Sequence, residues 1–574
     1  MTTVQQRPYD ESVLQRLVDS GMHPVIARVY AARQSASDDG DGLTSVCMQP
    51  PMRDLARAAQ RLARAIQRRE PIAVIGDYDA DGCSSTVLLV HFIRRFGGNV
   101  RFLIPDRVQD GYGLSPALVD RALACGSRLI VTVDNGIAAL SGVRRARELD
   151  IHVVVTDHHL PGTELPEPYA LVNPNHPDCP FPFKSTCGVG VAWYLAGVTW
   201  RVMVDAGAIP DTPVMQEYLD LVALGTVADV VPLERNNRFL VRAGLRRMRR
   251  GLARPGLQAL MRVCGIEEST LTEQDFGFRL APRLNAAGRL EDMAVGVNLL
   301  LADDLDTALP IASALDVLNK DRREIEQGML AQAEDAVARV QSLCRADDEP
   351  AMLCILDPDG HEGVVGLVAG RLRERYHKPS IVFAPGAHGL IKGSARSVDG
   401  VHIRDFIADI AAEHPGLIHA FGGHAMAAGL SLPEGHFERF AEICAERARR
   451  TIAPELLCET ILTDGEVAPE YLNMTFAQHI VDAGPWGNGF PPPLFEGEFT
   501  VLESKRVGAD GKTLRMRVRP VNSRPSAALV AVTFRRDTEI PDPEEGSTVR
   551  LAYSLDINRF RGDESVQLMV RTVI

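Results

Sequence analysis

Residues 72–85 read IAVIGDYDADGCSS, and at their centre Asp77, Asp79 and Asp81 alternate before Gly82. Three carboxylates at alternate positions are oxygen ligands suited to a hard divalent cation. A calcium loop between two helices has acids at positions 1, 3 and 5, Gly at 6 and a bidentate Glu at 12. Counted from Asp77, the twelfth position is Leu88, whose side chain ligates nothing. The lead-in is also wrong for such a loop. Ile72 to Ile75 is short, β-branched and bounded by Pro71 and Gly76, so it reads as a buried strand. A strand that ends in acids and is followed by a helical pattern over 84–95 opens an α/β unit, in which ligands bind beyond the carboxyl ends of the strands.

Three more segments repeat this arrangement. VTVDNG places Asp134 at the end of a strand over 129–133. VVVTDHH places Asp157, His158 and His159 at the end of one over 151–156, and GTVADVVPL places Asp229 after another apolar run. A single Asp at a strand end is usually a helix cap or turn former. Four acidic segments at the carboxyl ends of apolar runs are expected to converge on one edge of one sheet, where burying them without cations would be very costly. Carboxylates with imidazoles and no thiolates suit Mn²⁺ or Mg²⁺, and their number points to two ions. Such a pair stabilises the attacking and leaving oxygens of a phosphoryl displacement and generates hydroxide near neutral pH. Adjacent residues on an extended chain point apart, so one of His158 and His159 is expected to ligate and the other to face substrate. Cys83 beside the acids reads as packing, because hard cations prefer oxygen.

The elements that must position these groups follow from periodicity. Residues 1–70 read as helical, with Leu14, Leu17 and Ile26 and then Leu55, Leu62 and Ile66 in phase. Over 71–235, helical patterns alternate with strands at 72–76, 99–104, 129–133, 151–156 and 170–173, which implies a mostly parallel sheet with helices on both faces. Residues 236–345 read as helical, with a long connecting helix within 306–343 that ends before the acidic break ADDEP. A second α/β pattern covers 351–453, starting at AMLCIL. Beyond Pro454, over 455–574, runs such as TLRMRVRP, AALVAVTF and TVRLAYSL separated by turns read as a small β-barrel, with an OB-fold the leading candidate. The expected class is α/β: two α/β domains joined by a long helix, plus a C-terminal OB-fold-like β-barrel.

The chain has 574 residues, 45% hydrophobic and 24% charged, which is ordinary for several globular domains. No apolar run approaches the roughly 20 residues that span a bilayer, and MTTVQQRPYDES has no apolar signal core. The expected location is cytoplasmic, with no membrane partner. Ten scattered cysteines without a C-x-x-C pair exclude a zinc ribbon and a disulfide framework. The net charge of −13 includes any metal-holding acids, so it does not exclude a nucleic-acid partner. Locally, residues 235–262 carry Arg235, Arg238, Arg242, Arg246, Arg247, Arg249, Arg250, Arg254 and Arg262 with no acid among them. That run is either a solvated helix face or a surface that tracks phosphates.

GDYDADG, VDNG, TDHH and GTVADVVPL together resemble the DHH phosphoesterase superfamily. IPDRVQDGYGLS, FRLAPRLNAAGRLED, HEGVVGLVAGRL, KGSARS and FGGHAMAAGL narrow the resemblance to its branch of bacterial single-strand-specific exonucleases, from about residue 70 to the end. The resemblance implies a first metal on Asp77, Asp79 and Asp134 and a second on Asp81, Asp134, His158 and Asp229, with Asp134 bridging. Whether Asp77 or Asp79 ligates directly stays open. It makes Asp157 an outer partner that fixes an imidazole tautomer and sets His159 against the scissile phosphate. Residues 351–453 resemble the DHHA1 module. There Lys392, Ser394 and Arg396 suit a terminal phosphate, and Gly422, Gly423 and His424 allow backbone to approach one closely, unless the small residues serve helix packing. Arg107, Tyr112, Arg283, Asn285 and Arg289 fall in motifs that line the nucleotide path of relatives, with Tyr112 placed to stack on a base.

The activity so implied is 5′→3′ hydrolysis of single-stranded DNA to mononucleotides in repair and recombination. The family's role adds a single-strand binding protein and a helicase as partners of a monomeric enzyme. GPWGNGFPPPLF departs from the family's usual PFGxGNPxPxF, with Trp486 for Phe and Phe490 where Asn is expected. The barrel has few aromatics, so its hold on DNA is expected to lean on Lys505, Arg506, Lys512, Arg515, Arg517 and Arg519. Two other readings compete. A relative acting on pyrophosphate, a cyclic dinucleotide or a very short oligonucleotide would share every ligand but need neither the barrel nor the arginine-rich run. A non-catalytic DNA-binding scaffold would have lost ligands that are all present here.

Overall fold

The computed structural model describes residues 3–33, 50–105, 113–343, 350–508, 511–521, 523, 528–534, 542–560 and 563–574. Arg107 and Tyr112 lie outside them. The chain divides into two compact units, one built on Asp316–Ile461, the other on Val4–Gly288, Asp292–Leu315 and Leu462–Ile574.

In the larger unit, strands Pro71–Ile75, Asn99–Leu103, Leu129–Val133, His152–Thr156 and Ala170–Val172 form one sheet in the spatial order second, first, third, fourth, fifth. Every pairing is parallel. Strands buried on both faces read as continuous apolar runs, which is why the sequence marked them so clearly. Ala73, Ile75, Ile130, Val153 and Val155 pack on one face against Leu118, Val119, Val143 and Ala146 of helices Pro116–Ala124 and Leu140–Glu148. Helices Ala80–Arg95 and Gly188–Asp205 cover the other face. In this strand order the winding reverses between the first and third strands, which opens a crevice at their carboxyl ends. Asp77 and Asp134 leave the sheet there.

Three expectations are corrected. Residues 3–6 form a strand, so the N-terminal region is not wholly helical. The apolar run before Asp229 is helix Leu219–Ala228, not a member of the sheet. It is buried on nearly every side, which erased the amphipathic period that would have marked it. The arginine-rich run is, for four of its members, a set of ties to neighbouring loops. Arg238 donates to Leu233 O (3.0 Å), Arg242 to Gly484 O (2.8 Å) and Arg249 to Leu271 O (2.7 Å), while Arg254 pairs with buried Asp220 (3.0 Å). Arg246, Arg250 and Arg262 remain exposed.

Strands Phe495–Val507, Thr513–Pro520, Leu529–Thr533, Asp563–Val573 and Thr548–Phe560 close a five-stranded barrel, antiparallel except where Leu529–Thr533 meets Asp563–Val573. Arg515, Arg517 and Arg519 alternate with buried Leu514, Met516, Val518 and Pro520, so they share the outer face. The unusual aromatics of the loop leading into the barrel form a matched pair. Trp486 and Phe490 are buried and stacked, with centroids 5.0 Å apart and planes 7° from parallel, and Arg238 lies 4.1 Å over Phe490.

In the smaller unit, strands Ala420–Gly423, Ala427–Pro433, Leu390–Arg396, Ser380–Pro385 and Leu353–Leu356 form a mixed sheet in that order. FGGHAMAAGL is the hairpin joining the first two; Ala428 and Leu430 pack with Ile403, Phe406 and Ile407 of helix Ile403–Glu413, whereas Gly422 and Gly429 have open space where a Cβ would lie. Helix Leu305–Leu343 is continuous over 39 residues despite Pro310. Among the described residues, no helix is long and apolar enough to cross a membrane.

Candidate active site

The D-x-D-x-D-G stretch folds so that each acid has a distinct setting. Asp77 follows its strand, is buried, and accepts from the Tyr78 amide (2.8 Å). Asp79 caps helix Ala80–Arg95, its Oδ1 accepting from the Asp81 and Gly82 amides (3.0 and 2.9 Å). Asp81 sits in the first turn and takes the Gly188 and Val189 amides on its two oxygens (2.7 and 2.9 Å), at the start of helix Gly188–Asp205. Gly82 is required sterically, since a Cβ there would stand 2.5 Å from the Asp77 Cβ.

Asp134 has φ +62°, a left-handed conformation that costs a non-glycine residue energy and recurs at functional sites. Its neighbour Asn135 braces it, donating to Gly76 O and Val133 O (3.0 and 2.9 Å) and so tying the first strand end to the third. Asp157 is fully buried. Its Oδ1 accepts from the amides of His158 and His159 and lies 2.8 Å from His159 Nδ1, while Oδ2 accepts from Ile137 N. The imidazole whose tautomer it fixes is therefore that of His159. His158 Nε2 approaches Asp134 Oδ1 (3.1 Å) and Asp229 Oδ2 (3.4 Å). Asp229 reaches the cluster from the C-terminal end of helix Leu219–Ala228.

Among the described residues, three overlapping sets have ligand atoms within 4.8 Å of one another: Asp77, Asp79 and Asp134; Asp81, His158 and Asp229; and Asp134, His158 and His159. Burial, reinforced by neighbouring carboxylates, pushes Asp77, Asp134 and Asp229 well above the usual carboxylate range and Asp81 to about 7. Burial alone would lower His159, yet its bond to Asp157 lifts it to about 9, and the same bond helps hold Asp157 below its ordinary value against burial. Three buried carboxylates and the partly exposed Asp229, repelling one another this strongly, with imidazole and no thiolate among the donors, fit hard divalent cations.

This electrostatic arrangement gives metal binding a pH dependence. Asp81 titrates near 7 in the fold against an ordinary 3.8. Its favourable contribution to the metal-free fold is complete below 3.8 and disappears as pH rises through about 7. Bound cations replace those protons. Added Mn²⁺ is thus expected to raise the melting temperature more at pH 8 than at pH 6, as thermal denaturation would record. An equal gain at both values would contradict this origin of metal affinity.

Several contributors escaped the sequence reading. Gly188 lets the helix start lie against Asp134: a Cβ there would stand 2.5 Å from its Oδ1. Gly225 does the same for Asp81, at 2.6 Å from Oδ1. Asn173 and Asn175 donate to the carbonyls of His159 and His158 (2.9 and 2.6 Å). Their one signal is the NPN sequence directly after a strand. Asn285, expected on the nucleotide path, accepts the Ala80 amide on its Oδ1 (2.8 Å), and Gly288 backs onto Tyr78 O. Both brace the acidic loop. Arg283 bonds Arg279 O, and Arg289 bonds Gly363 O (2.8 Å).

In the smaller unit, Lys392, Ser394 and Arg396 share the outward face of strand Leu390–Arg396, alternating with buried Ile391, Gly393 and Ala395. Arg396 Nη1 donates to Ser394 Oγ (2.9 Å). The pair abuts the start of helix Val365–Tyr376, where a Cβ on Gly366 would meet Arg396 Nη2 at 2.9 Å and Ser394 Oγ at 3.0 Å. Beside Ser394 in register lie Gly429 and Gly422, both open to solvent. Gly423 takes φ +141°, and the His424 amide bonds Ala427 O (2.8 Å) to close the hairpin. A helix start, a guanidinium, a hydroxyl and bare backbone are groups of the kind that bind anions.

Comparisons with known proteins agree with this architecture. Residues 71–226 match the DHH family N-terminal domain, 348–450 the DHHA1 domain and 463–572 the RecJ OB domain. The chain is 45% identical to the single-stranded-DNA-specific exonuclease RecJ of Escherichia coli over 96% of each chain. It is 35% identical to that of Bacillus subtilis over 91% of this chain and 63% of the relative. The crystal structure of RecJ from Thermus thermophilus in complex with Mn²⁺ superposes with a TM-score of 0.80 at 28% identity, covering all of this chain and 79% of that one. A Mg²⁺ complex of the same protein gives 0.73 at 27% identity, covering 100% and 78%.

Proposed function

The chain belongs to the RecJ family of single-stranded-DNA-specific exonucleases, and from that premise we propose how its residues divide the work of the reaction. The protein is a metal-dependent exonuclease that hydrolyses phosphodiester bonds of single-stranded DNA, with Mn²⁺ or Mg²⁺ as cofactor. The carrying observation is the meeting of Asp77, Asp79, Asp81, Asp134, His158 and Asp229 at the crevice where the sheet reverses its winding. In our reading Asp77, Asp79 and Asp134 hold one cation, and Asp81, Asp134, His158 and Asp229 the other.

Two such cations, when bound, supply Lewis acidity toward phosphate oxygens and lower the pKa of a coordinated water. The chain's own residues do the rest. His159, oriented by its bond to Asp157, offers an N–H to a phosphate oxygen, where negative charge grows during displacement. Asp157 fixes the ring, and its main-chain bonds orient both histidines. Asp79 divides its carboxylate between capping and ligation, so its second oxygen is the one available to a cation.

We assign Lys392, Ser394, Arg396 and the glycines of the Ala420–Pro433 hairpin to the 5′-terminal phosphate, which makes digestion run 5′→3′ and release mononucleotides. Arg396 forms the charged part of that surface. Arg396→Ala is expected to reduce the preference for a 5′-phosphorylated over a 5′-hydroxyl strand about tenfold, consistent with the worth of a charged hydrogen bond. Competition digests of the two substrates measure it, and an unchanged ratio would move end recognition elsewhere. Comparing long single strands with dinucleotides tests the substrate class, because an enzyme for small substrates would favour the latter. A cytoplasmic setting and the company of a single-strand binding protein and a helicase suit this reading, in which the enzyme acts as a monomer in repair and recombination.

A further inference from the structure

The loop that opens the barrel also touches the turn that follows Asp229. Residues 484–490 read GPWGNGF. Trp486 and Phe490 are its buried, stacked feet. Arg33 stands 5.8 and 5.9 Å over their rings and pairs with buried Asp464 at 2.7 Å. Between those feet, Gly487 and Phe490 exchange main-chain hydrogen bonds (2.9 and 3.1 Å), closing a tight turn with Asn488 and Gly489 at its tip. Gly489 has φ +69°, a conformation glycine adopts without strain.

The tip meets the residues after Asp229. Asn488 Nδ2 donates to Val230 O (2.7 Å), and Leu233 N donates to Asn488 O (2.7 Å). Val230 needs such a partner. It is β-branched, 64% exposed, and held at φ +58°, where its branched side chain is strained. A side chain so exposed gives that conformation little support through packing. Val230 directly follows Asp229, the helical C-cap whose N–H bonds Gly225 O (2.9 Å), and its own N–H closes the last turn on Val227 O (3.2 Å). Asp229 Oδ2 lies 3.4 Å from His158 Nε2.

We propose that Asn488 is a positioning residue for the metal centre: its amide clamps the strained Val230 turn and thereby sets Asp229 as a cation ligand. The aromatic stack beneath it makes the clamp rigid, so the loop entering the barrel sets the affinity of one of the two cations. This rests on the two-cation reading above. Outer partners that orient metal ligands are typically worth 10- to 100-fold in metal affinity.

The test is Mn²⁺ binding to the full-length protein, followed by calorimetry and by the electron paramagnetic resonance signal of free Mn²⁺. Asn488→Ala is expected to weaken one of two Mn²⁺ equivalents on the order of tenfold while leaving the other. Glycine tolerates φ +58° unaided, so Val230→Gly added to Asn488→Ala is expected to restore most of the lost affinity. Two full-affinity equivalents in the folded Asn488→Ala protein would overturn the proposal. So would a loss that Val230→Gly leaves unrepaired, since Asn488 would then act through general stability. If the wild-type protein bound no Mn²⁺ at all, the two-cation reading itself would fall, and this inference with it.

Discussion

Asp134→Ala is expected to lower the rate of single-strand digestion on the order of 10³-fold or more while leaving single-strand binding largely intact. Asp134 is assigned to both proposed cations: it groups with Asp77 and Asp79 on one side and stands 3.1 Å from His158 Nε2 on the other, so its loss would remove a donor from both at once. The same substitution deletes a buried acid raised well above its ordinary value by burial and by its neighbours. Alanine keeps the Cβ that strains this left-handed position, so the gain comes from the relieved charge repulsion alone. The variant is expected to melt at or above the wild-type temperature without metal. Rate assays beside a single-strand binding isotherm separate the two effects. Digestion at the wild-type rate would sink the bridging role.

Gly188→Ala adds one methyl group and is expected to cost on the order of 10²-fold in rate, the usual consequence of a displacement near 1 Å at a reacting centre. The new Cβ would stand 2.5 Å from Asp134 Oδ1 and 2.6 Å from its Cβ. Non-bonded atoms do not remain at such distances, so either the carboxylate or the helix start must move. The helix start is itself held by Asp81, which accepts the Gly188 and Val189 amides. Relief at Asp134 therefore disturbs Asp81, and both proposed cation sites loosen together. The expected signature is a higher Mn²⁺ requirement and a lower rate at saturating metal, with the folded circular dichroism spectrum retained. A metal-activation curve coincident with wild type would show that the space is not limiting.

How much could be read beforehand depended on the scale of the interaction. The parallel strands were legible because burial on both faces leaves uninterrupted β-branched runs such as IAVI and LIVTV. The acids were legible because carboxylates at strand ends are local events in the chain. Asp229 was found as a residue but placed on the wrong kind of element, since a helix buried all round shows no period. The arginine-rich run misled for a related reason. A guanidinium that donates to a distant carbonyl, as Arg242 does to Gly484, looks in sequence like one that waits for phosphate. Gly188 and Gly225 left almost no trace, because the demand for a missing Cβ comes from Asp134 and Asp81, which are remote from them in the chain. Trp486 and Phe490 each depart from the family's usual residues. Their departure makes sense only as a pair, because each supplies the face on which the other stacks.

The most direct measurement is a metal-titrated digestion of one DNA strand labelled at either end, with a blunt duplex of the same sequence as control. The expected result is a 5′ label released as mononucleotide only when Mn²⁺ or Mg²⁺ is present, with the duplex spared and chelator restoring full protection. Release of that label at an undiminished rate in chelator would contradict a cation site at Asp77, Asp79, Asp81, Asp134, His158 and Asp229. Binding of the strand with no metal-dependent release would make the protein a scaffold instead.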